Sequence, residues 1–193
     1  MKSIAVFCGS SPGNDSRYLE EAFSLGQIMA QQGLRLVYGG ARVGLMGEVA
    51  RGALEAGGEV VGVIPEFLKK KEVVHTGLTR LITTKNMHER KLILNEESDG
   101  FIALPGGFGT LEELFEIITW AQLGLHNKPV GILNSGGYYD HLIALLDHMV
   151  SKELLQRKFR ELLLEHENIN ELVKQLQTRK PGDFRQRIAK DQL

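Results

Sequence analysis

Residues 100–113 read Gly100-Phe101-Ile102-Ala103-Leu104-Pro105-Gly106-Gly107-Phe108-Gly109-Thr110-Leu111-Glu112-Glu113. An apolar run passes through a proline and closely spaced glycines into a strongly amphipathic pattern over 110–123. That order is strand, glycine turn, helix. A helix start presents unpaired backbone N–H groups and a partial positive charge. Glycine lets an anion reach that backbone with no Cβ in the way. Thr110 adds a hydroxyl donor and suits a helix N-cap. A Gly-Gly after a strand also makes a plain tight turn, so this stretch alone does not settle the matter.

Working outward, the same unit recurs. The run 3–8 ends in Gly9-Ser10-Ser11-Pro12-Gly13 and leads to a helix over 17–32, stopped by Gly33. The run 34–38 ends in Gly39-Gly40-Ala41-Arg42-Val43-Gly44, followed by a helix over 44–56. A third strand over 59–64 stops at Pro65, and 66–75 reads as an irregular connection. Strands are expected over 78–84, 129–133 and 162–165, and helices over 86–97, 138–152 and 169–176. Alternating strands and helices predict an α/β fold: a single doubly wound, Rossmann-like parallel sheet with helices on both faces. In such a sheet ligands sit at the carboxyl ends of the strands, where all three glycine turns fall. The domain spans 1–176, and 177–193 is a polar, basic C-terminal tail that reads first as a frayed terminus and second as a subunit or substrate contact.

Composition narrows the function. The 193 residues carry a net charge of −1, which argues against a general nucleic-acid binder. No long uncharged apolar run exists to span a membrane, and the N-terminal residues lack a signal-peptide pattern, so a cytoplasmic protein is expected. One cysteine, Cys8, makes neither an internal disulfide nor a cysteine-rich zinc site, and reads as a small core residue. His141 and His148 lie two helical turns apart and read as surface or packing residues, so no metal site is assigned. Glycine makes up about 11% of the chain against a usual ~7%, concentrated in the turns. No GxxxxGK[ST] is present, which disfavours Walker-type hydrolysis, and the first turn is not GxGxxG. A monophosphate fits these turns better than a pyrophosphate.

Glu112 and Glu113 fall in the first turn of the helix, where acidic residues favour the helix dipole. A carboxylate beside a phosphate cradle also reaches a sugar held by that phosphate, where it can stabilise an oxocarbenium-like centre or activate water. Arg90, in the helix that starts at the end of the fourth strand, offers a bidentate fork on the same rim. The run His88-Glu89-Arg90-Lys91 reads equally as a solvated charged face.

These residues together resemble the LOG (Lonely Guy) family, the cytokinin riboside 5′-monophosphate phosphoribohydrolases. The family pattern PGGxGTxxE is met by Pro105, Gly106, Gly107, Gly109, Thr110 and Glu113. Met-His-x-Arg-Lys is met by Met87, His88, Arg90 and Lys91, and YGG…GLMG by Tyr38, Gly39, Gly40, Gly44, Leu45, Met46 and Gly47. Gly9 and Ser10 match the first turn, and Ala41 stands where many members have glycine or serine. The resemblance covers residues 3–176. It implies hydrolysis of the N-glycosidic bond of a nucleoside 5′-monophosphate, cytokinin-type or AMP, to an adenine-type base and ribose 5-phosphate. It implies Arg90 and Glu113 as the catalytic pair. Gly106, Gly107, Gly109 and Thr110 would hold the phosphate, Met87 would line the base or ribose pocket, and Gly39, Gly40, Gly44 and Ser10 would complete the substrate site. No metal or organic cofactor is implied, and a homodimer is. Two other readings stand beside it. A pyridoxal-dependent lysine decarboxylase needs a Schiff-base lysine and an acid partner for the ring nitrogen, demands the glycine turns do not meet. A non-catalytic carrier or sensor of a phosphorylated ligand shares the scaffold but has no need of the Arg90 and Glu113 pairing.

Overall fold

The computed structural model describes residues 1–69 and 73–179. Strand β1, Ser3–Phe7, is buried throughout, and its side chains alternate between two cores. Ile4 and Val6 pack on one side and Ala5 and Phe7 on the other, as the period of two in a strand requires. Each side is closed by helices. Helix α1, Ser16–Gln31, and α2, Gly44–Glu55, cover the Ile4 face, together with a helix near the C-terminus, Ile169–Thr178. The Phe7 face is covered by helices at Met87–Glu96, Phe108–Gln122 and Asp140–Ser151.

The remaining strands are β2, Arg35–Tyr38; β3, Val60–Pro65; β4, Arg80–Thr84; β5, Gly100–Ala103; β6, Val130–Leu133; and β7, Leu163–His166. Helices are numbered in chain order: α3 is the short turn Glu66–Lys69, α4 is Met87–Glu96, α5 is Phe108–Gln122, α6 is Asp140–Ser151, α7 is Arg157–Arg160 and α8 is Ile169–Thr178. The sheet runs β4-β3-β2-β1-β5-β6-β7 with every pair parallel. The winding turns back at β1, which lies between β2 and β5. That is the switch point at which open α/β sheets form their crevice.

Helices α1 and α2 meet unusually closely because each places a glycine at the contact. A Cβ on Gly26 would lie 2.1 Å from the Val49 carbonyl oxygen, and one on Gly52 would lie 2.0 Å from that of Phe23. The doubly wound architecture matches the sequence expectation, and several local details differ. Helix α3 forms inside the stretch expected to be irregular, and α7 was not foreseen at all. A short 3-10 turn over Ser135–Gly137 precedes α6, which starts later than its apolar pattern predicts. Helix α8 runs through Thr178, so residues 177 and 178 are helical; the expected tail from 180 onward lies outside the described residues. Among the described residues, no helix is long and apolar enough to cross a membrane.

Candidate active site

The three glycine turns meet in main-chain contact at the switch point. The Gly9 N–H donates to the Pro105 carbonyl at 3.0 Å, and the Leu45 N–H donates to the Gly9 carbonyl at 3.0 Å. Gly44, with φ of +55°, lies against the Ser10 backbone, where a Cβ would come within 2.3 Å. A Cβ on Gly106 would meet the Thr110 hydroxyl at 2.1 Å and the Gly9 nitrogen at 2.9 Å. These glycines are required by the chain's own packing. Gly107 and Gly109 are different. Neither has a positive φ, and a Cβ on either would meet nothing within 4 Å. The protein has no internal need for glycine there, and the space their missing side chains leave opens over the start of α5.

In the sequence Thr110 suits a helix N-cap. The N-cap is Gly107, and no side chain bonds the first turn. Thr110 is instead inside the helix and buried, its hydroxyl close over Gly106. The first-turn N–H groups of α5 are thus left to whatever occupies the open space.

Arg90 is fixed from several directions. Asn86 caps α4, its side chain accepting the Glu89 N–H at 2.9 Å, while the Glu89 carboxylate reaches back to the Lys85 N–H at 2.7 Å. Arg90 follows in the first full turn and is buried. Its Nε donates to the Val63 carbonyl at 3.1 Å, and one terminal nitrogen lies 3.9 Å from the Met87 sulfur. The other lies over Gly39, where a Cβ would come within 2.5 Å. Gly39 therefore makes room for Arg90. Gly40, with φ of +83°, is closed in by Leu81, Gly62 and Ile64.

Glu113 projects from the next turn of α5, its side chain 15% exposed, with Oε1 3.9 Å from an Arg90 nitrogen. That separation is beyond hydrogen-bond length, so the pair is close but not clamped. Burial pushes the Glu113 carboxyl up to about 7, against which Arg90 and Lys91 pull down and Glu112 and Glu116 push further up. A carboxylate so placed titrates near neutrality and can exchange a proton with water or a bound ligand. The Cys8 thiol lies beneath, held protonated by its burial and by Glu113.

The structure thus brings Ser10, Gly106, Gly107, Gly109, Thr110, Met87, Arg90 and Glu113 to one rim. Gly39, Gly40 and Gly44 lie behind it as spacers. Two ties at the rim lie outside the sequence reading, which took Lys91 only as part of the Met-His-x-Arg-Lys match. The Tyr138 hydroxyl donates to the Gly106 carbonyl at 2.7 Å, tying the turn after β6 to the turn after β5. Its signal was present, since Gly136-Gly137-Tyr138-Tyr139 follows a strand at the same edge. Lys91 pairs with Glu112 and Glu116 across the gap between α4 and α5. Both partners are polar residues on predicted helices, and only the fold makes them neighbours.

A doubly wound α/β protein with an open glycine turn and a buried arginine–glutamate pair at its switch point is the class this geometry defines. The family model described as "Possible lysine decarboxylase" matches residues 46–176. A cytokinin riboside 5′-monophosphate phosphoribohydrolase of Arabidopsis thaliana is 46% identical over 180 residues, covering 93% of this chain and 79% of the relative. One from Rhodococcoides fascians is 53% identical over 148 residues, covering 76% of this chain and 75% of its own. The chain belongs to the LOG family of these proteins. A molybdenum cofactor binding protein from Rippkaea orientalis shares the fold with TM-score 0.67 and 28% identity, over 92% of this chain and 99% of that one.

Proposed function

We propose that this protein hydrolyses the N-glycosidic bond of a nucleoside 5′-monophosphate, cytokinin-type or AMP, giving an adenine-type base and ribose 5-phosphate. The observation that carries the reading is a buried carboxylate titrating near neutrality, one helical turn from an open glycine cradle at a helix start. Family membership supports it, since relatives at 46% and 53% identity carry that activity in their names.

On this reading Gly106, Gly107, Gly109 and Thr110 hold the 5′-phosphate on the first turn of α5, with Ser10 closing one side. Gly39, Gly40 and Gly44 shape the site from behind, and Met87 lines the sugar or base. The phosphate fixes the ribose within reach of Glu113. As the C1′–N bond breaks, its electron pair leaves with the base and positive charge builds on C1′ and the ring oxygen. The ionised Glu113 stabilises that charge and takes a proton from the water whose oxygen bonds to C1′; the departing base takes up one proton from solvent and Glu113 then gives one back, so the proton count closes. Arg90, anchored on Val63, orients Glu113 and favours its charged form. No cofactor is needed. The decarboxylase description of the family model requires a lysine that forms a Schiff base as a neutral amine. Lys91 does not fit that demand, because Glu112 and Glu116 hold it charged at 2.6 and 2.8 Å.

The proposal includes a homodimer in the cytoplasm, a setting in which a free thiol such as Cys8 is usual. Phe108, 94% exposed, and Phe115, seven residues on, lie on one outward face of α5. Phe115 borders an apolar groove with Leu146, Met149, Leu155 and Phe159, and a second copy of the chain is the partner we assign to it. Incubation with AMP and with isopentenyl-AMP, followed by chromatography of the base and assay of ribose 5-phosphate, tests the activity. Both products from either substrate are expected. Calorimetric binding without release would instead make the protein a carrier or sensor, the role its likeness to the molybdenum cofactor binding protein favours.

A further inference from the structure

Lys91 follows Arg90 on α4, and its ammonium group bridges two successive turns of α5. Its Nζ lies 2.6 Å from Glu112 Oε1 and 2.8 Å from Glu116 Oε1, and its side chain is 16% exposed. Glu113 stands between those two glutamates in sequence. A small void lined by Phe7, Leu94 and Ile117 has Lys91, Glu113 and Glu116 on its wall together. One cation therefore pins α4 to α5 at the level where Arg90 faces Glu113. It also offsets part of the charge of Glu112 and Glu116, the two carboxylates that act on the one proposed to react.

We propose that Lys91 is a positioning residue for glycosidic cleavage: it docks α4 on α5 and shields Glu113 from the negative charge of Glu112 and Glu116. The inference rests on the reading of Glu113 as the reacting carboxylate. The groups that act on Glu113 are Arg90 and Lys91 from α4, Glu112 and Glu116 from α5 itself, and the neutral Cys8 thiol at the end of β1. Of these, the two glutamates favour the protonated form and the two cations the ionised form. Removal of Lys91 takes away one cation and leaves both glutamates uncompensated, so the protonated form gains on both counts.

The test compares the wild type with Lys91→Met, Lys91→Arg and the triple variant Lys91→Met/Glu112→Gln/Glu116→Gln. The readouts are the pH profile of kcat on AMP and a carbon-13 titration of the Glu113 carboxyl. Lys91→Met is expected to raise the midpoint of the acid limb by about one pH unit, lowering kcat about ten-fold on that limb. KM changes less than about two-fold, because the cradle is untouched. Lys91→Arg and the triple variant bring the midpoint back toward the wild-type value. A Lys91→Met enzyme with an unmoved midpoint overturns the proposal, whether its kcat is unchanged or reduced at every pH. A wild type that releases no base defeats the function reading instead. The carboxyl titration, which needs no turnover, then still decides the role of Lys91.

Discussion

Glu113 is a residue whose environment works against its own ionisation, and that has consequences for both activity and stability. Its folded-state value of about 7 lies above the ordinary 4.5, so folding favours the protonated form. The stability it contributes is fully present below the ordinary value and is lost as pH rises through about 7. Glu113→Gln is therefore expected to remove at least nine-tenths of turnover, and at about pH 8 to gain on the order of 2 kcal/mol in stability. Thermal melts at about pH 5 and pH 8 check the sign, since the gain shrinks as Glu113 becomes neutral in the native wild type. A less stable variant at the higher pH would contradict the account. The glycines divide in a similar way. Gly107→Ala places its Cβ in open space and should cost less than about 1 kcal/mol, yet raise KM for the monophosphate about ten-fold or more. Gly106→Ala, with Thr110 and Gly9 in the way, should destabilise the fold by about 1–3 kcal/mol.

Elements carry the site by where they end. Strands β1, β2 and β5 were legible from their apolar runs and the glycines behind them, and so was the fact that their turns share an edge. The start of α5 was not. Thr110 has the chemistry of a cap, but the chain enters the helix at Phe108, and the next turn's packing takes Thr110 inside. Helix α7 was missed because Arg157, Lys158, Phe159 and Arg160 show no periodicity in so short a stretch. The ties between elements were illegible for a different reason, since Lys91 and Glu116, or Tyr138 and Gly106, are far apart in sequence and meet only through the sheet order. Tyr138→Phe tests one such tie. Losing the 2.7 Å bond to Gly106 should leave stability within about 1 kcal/mol and raise KM several-fold with kcat little changed. Steady-state kinetics with a melting curve separate that outcome from general loosening.

At the scale of the whole molecule, the sheet order and the helical layers follow from the alternating pattern, whereas the outward face of α5 does not. Phe115 and Ile118, like Trp120 on the same helix, read as core or interface residues in the sequence. The fold buries their neighbour Trp120, leaves Phe115 partly exposed and Phe108 almost wholly so. If a second copy covers this face, Phe115→Glu should weaken self-association about 100-fold or more, with the monomer's fold intact. Sedimentation velocity reads this directly, and a wild type that sediments as a monomer at micromolar concentration would end the dimer proposal. A cradle made of main-chain groups has a further consequence. On the proposed reading it contains no side chain that gains or loses a proton near neutrality, so its grip on a phosphate follows chiefly the ligand's own ionisation, with Glu113 adding only its charge from one turn away. Catalytic speed, on the proposed mechanism, answers instead to a carboxyl that titrates at about 7. Grip and speed are thus set by different parts of the molecule, and in evolution or in the laboratory one can be retuned while the other stays where it was.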